Sequence, residues 1–179
     1  SFYALAMCTS MSPAPGQSSQ GLFNTFGVRG VDIETWIVCV LSDIHGSGAR
    51  AGSFGMGCGD DASYSQANSP GMAYLPNVWF QLTGIFPGGV GRVATWLDGV
   101  SQSMTFIRGA RSCACSGVAH SAVIGGATAE GSGTVHFASY NNDFFDGQWA
   151  DISVCGADTT AQREAQELFQ RSWLAELSE

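Results

Sequence analysis

Arg92-Val93-Ala94-Thr95-Trp96-Leu97-Asp98-Gly99-Val100-Ser101-Gln102-Ser103-Met104-Thr105-Phe106-Ile107 decides the fold class. Arg92 to Leu97 and Ser101 to Ile107 are strand-like runs. The Asp98-Gly99 dipeptide between them favours the left-handed backbone that a type I′ turn needs at both central positions. Strands joined this tightly run antiparallel. Outward from the hairpin the pattern repeats. Glu34 to Leu41 is apolar on both faces and is expected at the centre of a sheet. Ala51 to Cys58 alternates, with Phe54, Met56 and Cys58 on one face. Asn77 to Phe86 sets Val78, Phe80 and Leu82 to one side. Ser116 to Ala127, Gly133 to Tyr140 (with His136 among apolar residues) and Gln148 to Cys155 complete the series.

Two segments stand apart. Residues 1–30 are expected to be an irregular N-terminal arm, because 9–30 are rich in Ser, Pro, Gly and Gln. Residues 158–176 read as the one helix. Asp158, Thr159 and Thr160 offer N-cap oxygens, and Ala165, Leu168, Phe169 and Trp173 form a stripe expected to pack on the sheet. A parallel α/β sheet would need crossover helices that the Gly/Ser-rich connections do not supply. The expectation is therefore a single all-β domain over 1–179. Its architecture would be an antiparallel two-sheet jelly-roll sandwich with one short C-terminal helix.

Composition narrows the function. Of 179 residues only 12% are charged, against about 25% in an ordinary soluble domain. The net charge is -8, with seven arginines and no lysine. A nucleic-acid partner would need a basic stripe that this chain cannot make. P-loop and Schiff-base chemistry both need the missing lysine. Ser1 to Cys8 lacks a basic n-region and is too short for a signal h-region, so no export signal is expected. No apolar run reaches the about 18 residues of a membrane span, so no membrane insertion is expected either. Six cysteines leave the disulfide state open. Cys39, Cys58 and Cys155 lie in apolar strand-like runs, where a reduced thiol behaves as a small hydrophobe. Cys113-Ala114-Cys115 has no second pair at zinc-ligand spacing.

Leu41-Ser42-Asp43-Ile44-His45-Gly46, followed by Gly59-Asp60-Asp61, resembles the first motifs of calcineurin-like metallophosphoesterases. The three histidines, His45, His120 and His136, do not supply that family's later Gly-Asn-His motif. A polar loop closing a buried strand accounts for the residues.

A wider resemblance covers residues 31 to 169. Phe144-Phe145-Asp146-Gly147-Gln148-Trp149-Ala150-Asp151-Ile152-Ser153-Val154, then Ala161 to Phe169, resembles the closing signature of laminin-G-like jelly rolls of the concanavalin A-like lectin/glucanase superfamily. Val31 to Val38, with Glu34-Thr35-Trp36, is similar to that family's early Glu-x-Trp strand. Val78 to Gly84, then Thr95 to Val100, resembles its central hairpin. The frequent Tyr-Asn-Arg after the last strand is replaced here by Cys155-Gly156-Ala157, and the histidine pair often seen beside Trp79 is missing.

The resemblance implies loop-borne calcium at the rim, for which Asp60, Asp61, Asn141, Asn142 and Asp143 are the oxygen-rich candidates. Asn and Asp are also default turn residues. Tyr64, Tyr74 and Tyr140 lie in or beside loops, where a ring could stack on a sugar. The glucanase branch pairs carboxylates on one strand. Asp32 and Glu34 offer two, but Trp36 stands where a third would be, and no Gly-x-Ser-x-Gly elbow occurs. No catalytic residue is assigned. The expected function is a non-catalytic surface module. It would be a bacteriophage virion decoration or adhesion protein, at the virion surface or otherwise extracellular, contacting neighbouring virion or self subunits and cell-surface glycan. A free-standing calcium-assisted lectin is the alternative and a glycoside hydrolase the remote one. The sparse charge favours assembly, since burial against neighbours would account for so bland a surface.

Overall fold

The protein's structure, a computed structural model, describes residues 1–11, 19–29, 32–41, 52–59, 65–69, 73–85, 93–108, 119–124, 145–155 and 159–177. Those residues are mostly β, with one C-terminal helix. A five-stranded antiparallel sheet is built from β1 (Phe2–Cys8), β6 (Trp79–Ile85), β7 (Ala94–Leu97), β8 (Val100–Ser101) and β11 (Gly147–Val154), in the order β11-β1-β6-β7-β8. The remaining strands pair in the order β10-β2-β3-β4-β5-β9. They are β2 (Ser19–Arg29), β3 (Asp32–Leu41), β4 (Ser53–Gly59), β5 (Ser65–Asn68), β9 (Thr105–Arg108) and β10 (Ala119–Ile124). Helix α1 spans Thr160–Leu177.

The expected arm is a correction. Phe2-Tyr3-Ala4-Leu5-Ala6-Met7-Cys8 is a strand in the middle of the five-stranded sheet, paired with β6 on one side and β11 on the other. An apolar run without alternation is what a strand covered on both faces requires. Ser19–Arg29 is also a strand rather than part of an arm, paired with β3 and β10. Its pairing slips between Gly21 and Phe23, so Leu22 is an extra residue at a bulge and its side chain is buried.

One apolar cluster draws on both sets of strands. Phe2, Ala4, Ala6 and Cys8 of β1, Phe80 and Leu82 of β6 and Leu97 of β7 meet Leu22, Phe54 and Met56. Thr95 Oγ1 donates to Met56 Sδ across the same cluster at 3.4 Å. Fully burying each Phe, Leu or Met side chain contributes about 1.5–3 kcal/mol. On β6 Phe80 and Leu82 face inward as expected. Val78 lies before the strand and is exposed.

The hairpin forms as read. Asp98 and Gly99 have φ of 52° and 78°, and Leu97 pairs with Val100. The strand after it is shorter than expected. β8 ends at Ser101, and Thr105–Arg108 pairs instead with β5, in the other sheet.

Candidate functional site

The side of the five-stranded sheet away from the core carries α1. Strand alternation puts Tyr3 and Leu5 of β1 there, level with Thr83 and Gln81 of β6. Asp151 and Ser153 of β11 stand opposite Leu5 and Tyr3. A bulge makes this possible. The register shifts between Leu5 and Ala6, leaving Ala150 as an extra residue. Trp149 and Ile152 therefore both pack on the core while Asp151 and Ser153 meet the helix.

Helix α1 begins at a capping box. Thr159 Oγ1 accepts from the Gln162 N–H at 3.3 Å, and Gln162 Oε1 accepts from the Thr159 N–H at 2.8 Å. The helix then packs through the opposite face from the one expected. Its buried residues are Arg163, Glu167 and Gln170, each at most 8% exposed, whereas Leu168, Phe169, Trp173 and Leu177 are 37–66% exposed. Ala165 is exposed as well. The reason lies beneath the helix. The sheet face carries Gln81, Thr83, Asp151 and Ser153 beside the buried Tyr3 and Leu5, and the polar helix residues pair with its polar side chains.

That seam is a network of hydrogen bonds. Gln81 Nε2 donates to the Glu167 carbonyl at 2.8 Å and to Gln170 Oε1 at 3.1 Å. Gln170 Nε2 donates to Asp151 Oδ2 at 2.8 Å, and Gln166 Nε2 to Ser153 Oγ at 3.3 Å. Arg163 Nη1 reaches both carboxylate oxygens of Glu167, at 2.9 and 2.8 Å, and its guanidinium lies 4.4 Å from the Trp96 ring centroid. Two buried oxygens, Gln81 Oε1 and Thr83 Oγ1, have no hydrogen-bond partner among the described residues. Each bond between helix and sheet contributes about 0.5–1.5 kcal/mol net, and each orphaned oxygen costs about 1–3 kcal/mol. The polar terms nearly cancel, which leaves the burial of Tyr3 and Leu5 on this side of the sheet as the larger contribution.

A second polar cluster ties three strands together at the Cys8 end of β1. Gln20 Oε1 accepts from the Asp146 N–H at 3.0 Å and from Cys8 Sγ at 3.3 Å, while Gln20 Nε2 donates to the Ser10 carbonyl at 3.0 Å. Thr9 donates to the Asp146 carbonyl through both its N–H and its hydroxyl. Burial, reinforced by the Asp146 charge, pushes the Cys8 thiol up from its ordinary pKa. A protonated thiol is a donor and a poor nucleophile, so this cysteine serves packing rather than chemistry. Gly147 sits at the same junction. A Cβ there would run into the Met7 carbonyl and the Phe145 ring.

The residues singled out from sequence fare unevenly. Tyr74 is 4% exposed and sits in the apolar cluster, its ring 5.4 Å from that of Phe80. Burial leaves no ring face for a sugar, which corrects its reading as a stacking residue. Cys155 is exposed just past β11, not buried in it; Cys8 is buried, and both are free. Tyr64, Tyr140, Asp60, Asp61, Asn141, Asn142 and Asp143 lie outside the described residues, as do Asp43, His45, His136, Cys113 and Cys115. Among the described residues no three His, Cys, Asp or Glu side chains group as a metal would need. Asp32 and Glu34 lie on β3, opposite Arg29 and Gly27 of β2. The seam residues Gln81, Asp151, Arg163, Glu167 and Gln170 were not singled out. The available signal was the polar half of the β6 alternation, Gln81 and Thr83 beside Phe80 and Leu82. No described helix is long and apolar enough to cross a membrane.

No protein-family model, curated protein or solved structure matches the chain.

Proposed function

We propose that the chain is a laminin-G-like jelly roll, its two sheets forming the layers of a sandwich, that works by contact rather than catalysis. It serves as a virion decoration or adhesion subunit, at the virion surface or otherwise outside a cell. Its first neighbour is another copy of itself. The observation that carries this reading is the outer face of α1, where Leu168, Phe169, Trp173 and Leu177 stand exposed and the Phe169 and Trp173 rings pair at 5.4 Å. Exposed apolar patches of more than a few hundred Å² mark interaction sites on soluble proteins. The sparse charge of the chain supports the same conclusion, since a face that is covered in an assembly has no need of solvating side chains. The shared cluster of Phe2, Leu82, Leu22 and Met56 supports the two-layer architecture.

Analytical ultracentrifugation tests the reading. The unmodified chain should sediment as a defined oligomer. The double variant Phe169→Ser, Trp173→Ser should sediment as a monomer with an unchanged far-ultraviolet circular dichroism spectrum. A chain that stays monomeric at tens of micromolar (roughly the range in which weak interfaces still report) would overturn self-assembly.

A further inference from the structure

We propose that α1 is a releasable strap, which leaves the five-stranded sheet as a unit while the sheet stays folded. Three observations point the same way. The helix is inverted, its buried residues being Arg163, Glu167 and Gln170, while Leu168, Phe169, Trp173 and Leu177 are exposed and Leu174 is half-buried. The apolar burial on this side comes from the sheet, from Tyr3 and Leu5 of β1, and the four exposed apolar side chains of the helix add nothing to it. What it covers is incompletely satisfied, because Gln81 Oε1 and Thr83 Oγ1 lie buried beneath it without partners among the described residues. Opening lets water reach both oxygens and both partners of every bond in the seam, which offsets part of the cost of uncovering Tyr3 and Leu5. The strand beneath is the opposite case, since β1 is paired on both edges and apolar on its core side. Segments with few buried apolar contacts are the ones that open below the global unfolding transition.

Two consequences set the strap apart from ordinary fraying. Most helical stability in proteins comes from tertiary packing of one face, so a released α1 loses its internal hydrogen bonds over much of its length. Release also uncovers a continuous face, with Trp96 no longer beneath Arg163 and Gln81 no longer bonded to the helix. The fold thus has a closed state that hides a polar, ring-bearing sheet surface and an open one that presents it. This goes beyond the assembly reading and does not depend on it, because it concerns the inner face of the helix rather than the outer one.

Hydrogen–deuterium exchange of the full chain, read by mass spectrometry, tests the strap. Peptides spanning Thr160–Leu177 should exchange together, and at least about tenfold faster than those spanning Phe2–Cys8, after correction for intrinsic rates. Gln170→Ala removes the bond to Asp151 and should speed exchange in α1 about fivefold, leaving β1 unchanged. Thr83→Val keeps the shape and removes an orphaned hydroxyl, so it should slow α1 by about fivefold or more. Equal protection of α1 and β1 in the unmodified chain would overturn the proposal. So would variants that shift both segments in step, since that is the signature of global opening.

Discussion

Leu82 and Gln81 are neighbours on one strand, and both are buried, yet they hold the protein together in different ways. Leu82 belongs to the apolar cluster that joins Phe2 and Ala4 to Met56 and Phe54. Gln81 faces the helix, spends one end of its amide on Glu167 and Gln170, and leaves the other end without a partner among the described residues. The two faces of β6 differ in the same way. One gains from every buried methylene, while the polar side chains of the other exchange hydrogen bonds with water for hydrogen bonds with a helix at little net gain. Burial alone therefore says little about how firmly a layer is held; the chemistry of what is buried decides it.

The widest separation should come from that pair of residues. Leu82→Ala removes apolar volume from the shared cluster and should cost about 2–5 kcal/mol by urea unfolding. Gln81→Ala should cost less than about 1 kcal/mol, since it loses two donated bonds but also relieves an orphaned oxygen. Equal losses would erase the distinction between the faces.

Next in size is the junction of β1 with β11. Gly147→Ala forces a Cβ against the Met7 carbonyl, where backbone rather than a flexible side chain must give way. It should cost about 1–3 kcal/mol and lower the thermal midpoint without changing the oligomeric state. On the weaker face, Thr159→Ala removes the helix cap and should cost about 1 kcal/mol. Because α1 opens on its own, that loss should appear in helix exchange rather than in the main unfolding transition.

The smallest expected effect is a pH dependence at the far end of the core. Burial holds the folded Cys8 thiol above its ordinary pKa. The folded state then holds its proton longer than the unfolded state, so the contribution is intact below pH 9 and is lost as pH rises through and above it. Thermal midpoints should fall as pH rises above the ordinary thiol range, and Cys8→Ala should flatten that limb. The chain contains no lysine, but its four tyrosines and five other cysteines titrate in the same range, so the difference between the unmodified chain and Cys8→Ala isolates the Cys8 contribution.

How much of this was legible follows from the same two faces. The Asp98-Gly99 hairpin could be read directly, because only a few residue types tolerate positive φ at both central positions of its turn. Helix α1 could be read as a helix, cap included, but its orientation could not. The apolar stripe of Leu168, Phe169 and Trp173 predicts its inner face only if the surface beneath is apolar too. That surface depends on which halves of β1, β6 and β11 come together, which no local pattern of the helix contains. Strand β1 was missed for a different reason. Its unbroken apolar run fits a buried strand as well as other apolar segments, and only partners far along the chain resolve it. In β2 the bulge at Leu22 breaks the period-two alternation that would have marked a strand. Most of the residues first suspected of binding calcium or sugar lie outside the described residues, whereas Tyr74 resembled a loop aromatic only because its neighbour in space, Phe80, follows an irregular stretch.

The central position of β1 also sets an order in time. The strand is made among the first residues of the sequence described here, yet both its partners come late, β6 at Trp79–Ile85 and β11 at Gly147–Val154. On a ribosome adding about 5–20 residues per second, the second edge of β1 waits on the order of ten seconds for its partner. During that interval an apolar strand with an unpaired edge is available to other nascent chains, the situation in which intermolecular pairing competes with folding. Rapid synthesis or a chaperone that masks Phe2–Cys8 should therefore raise the soluble yield more than any stabilisation of the finished fold.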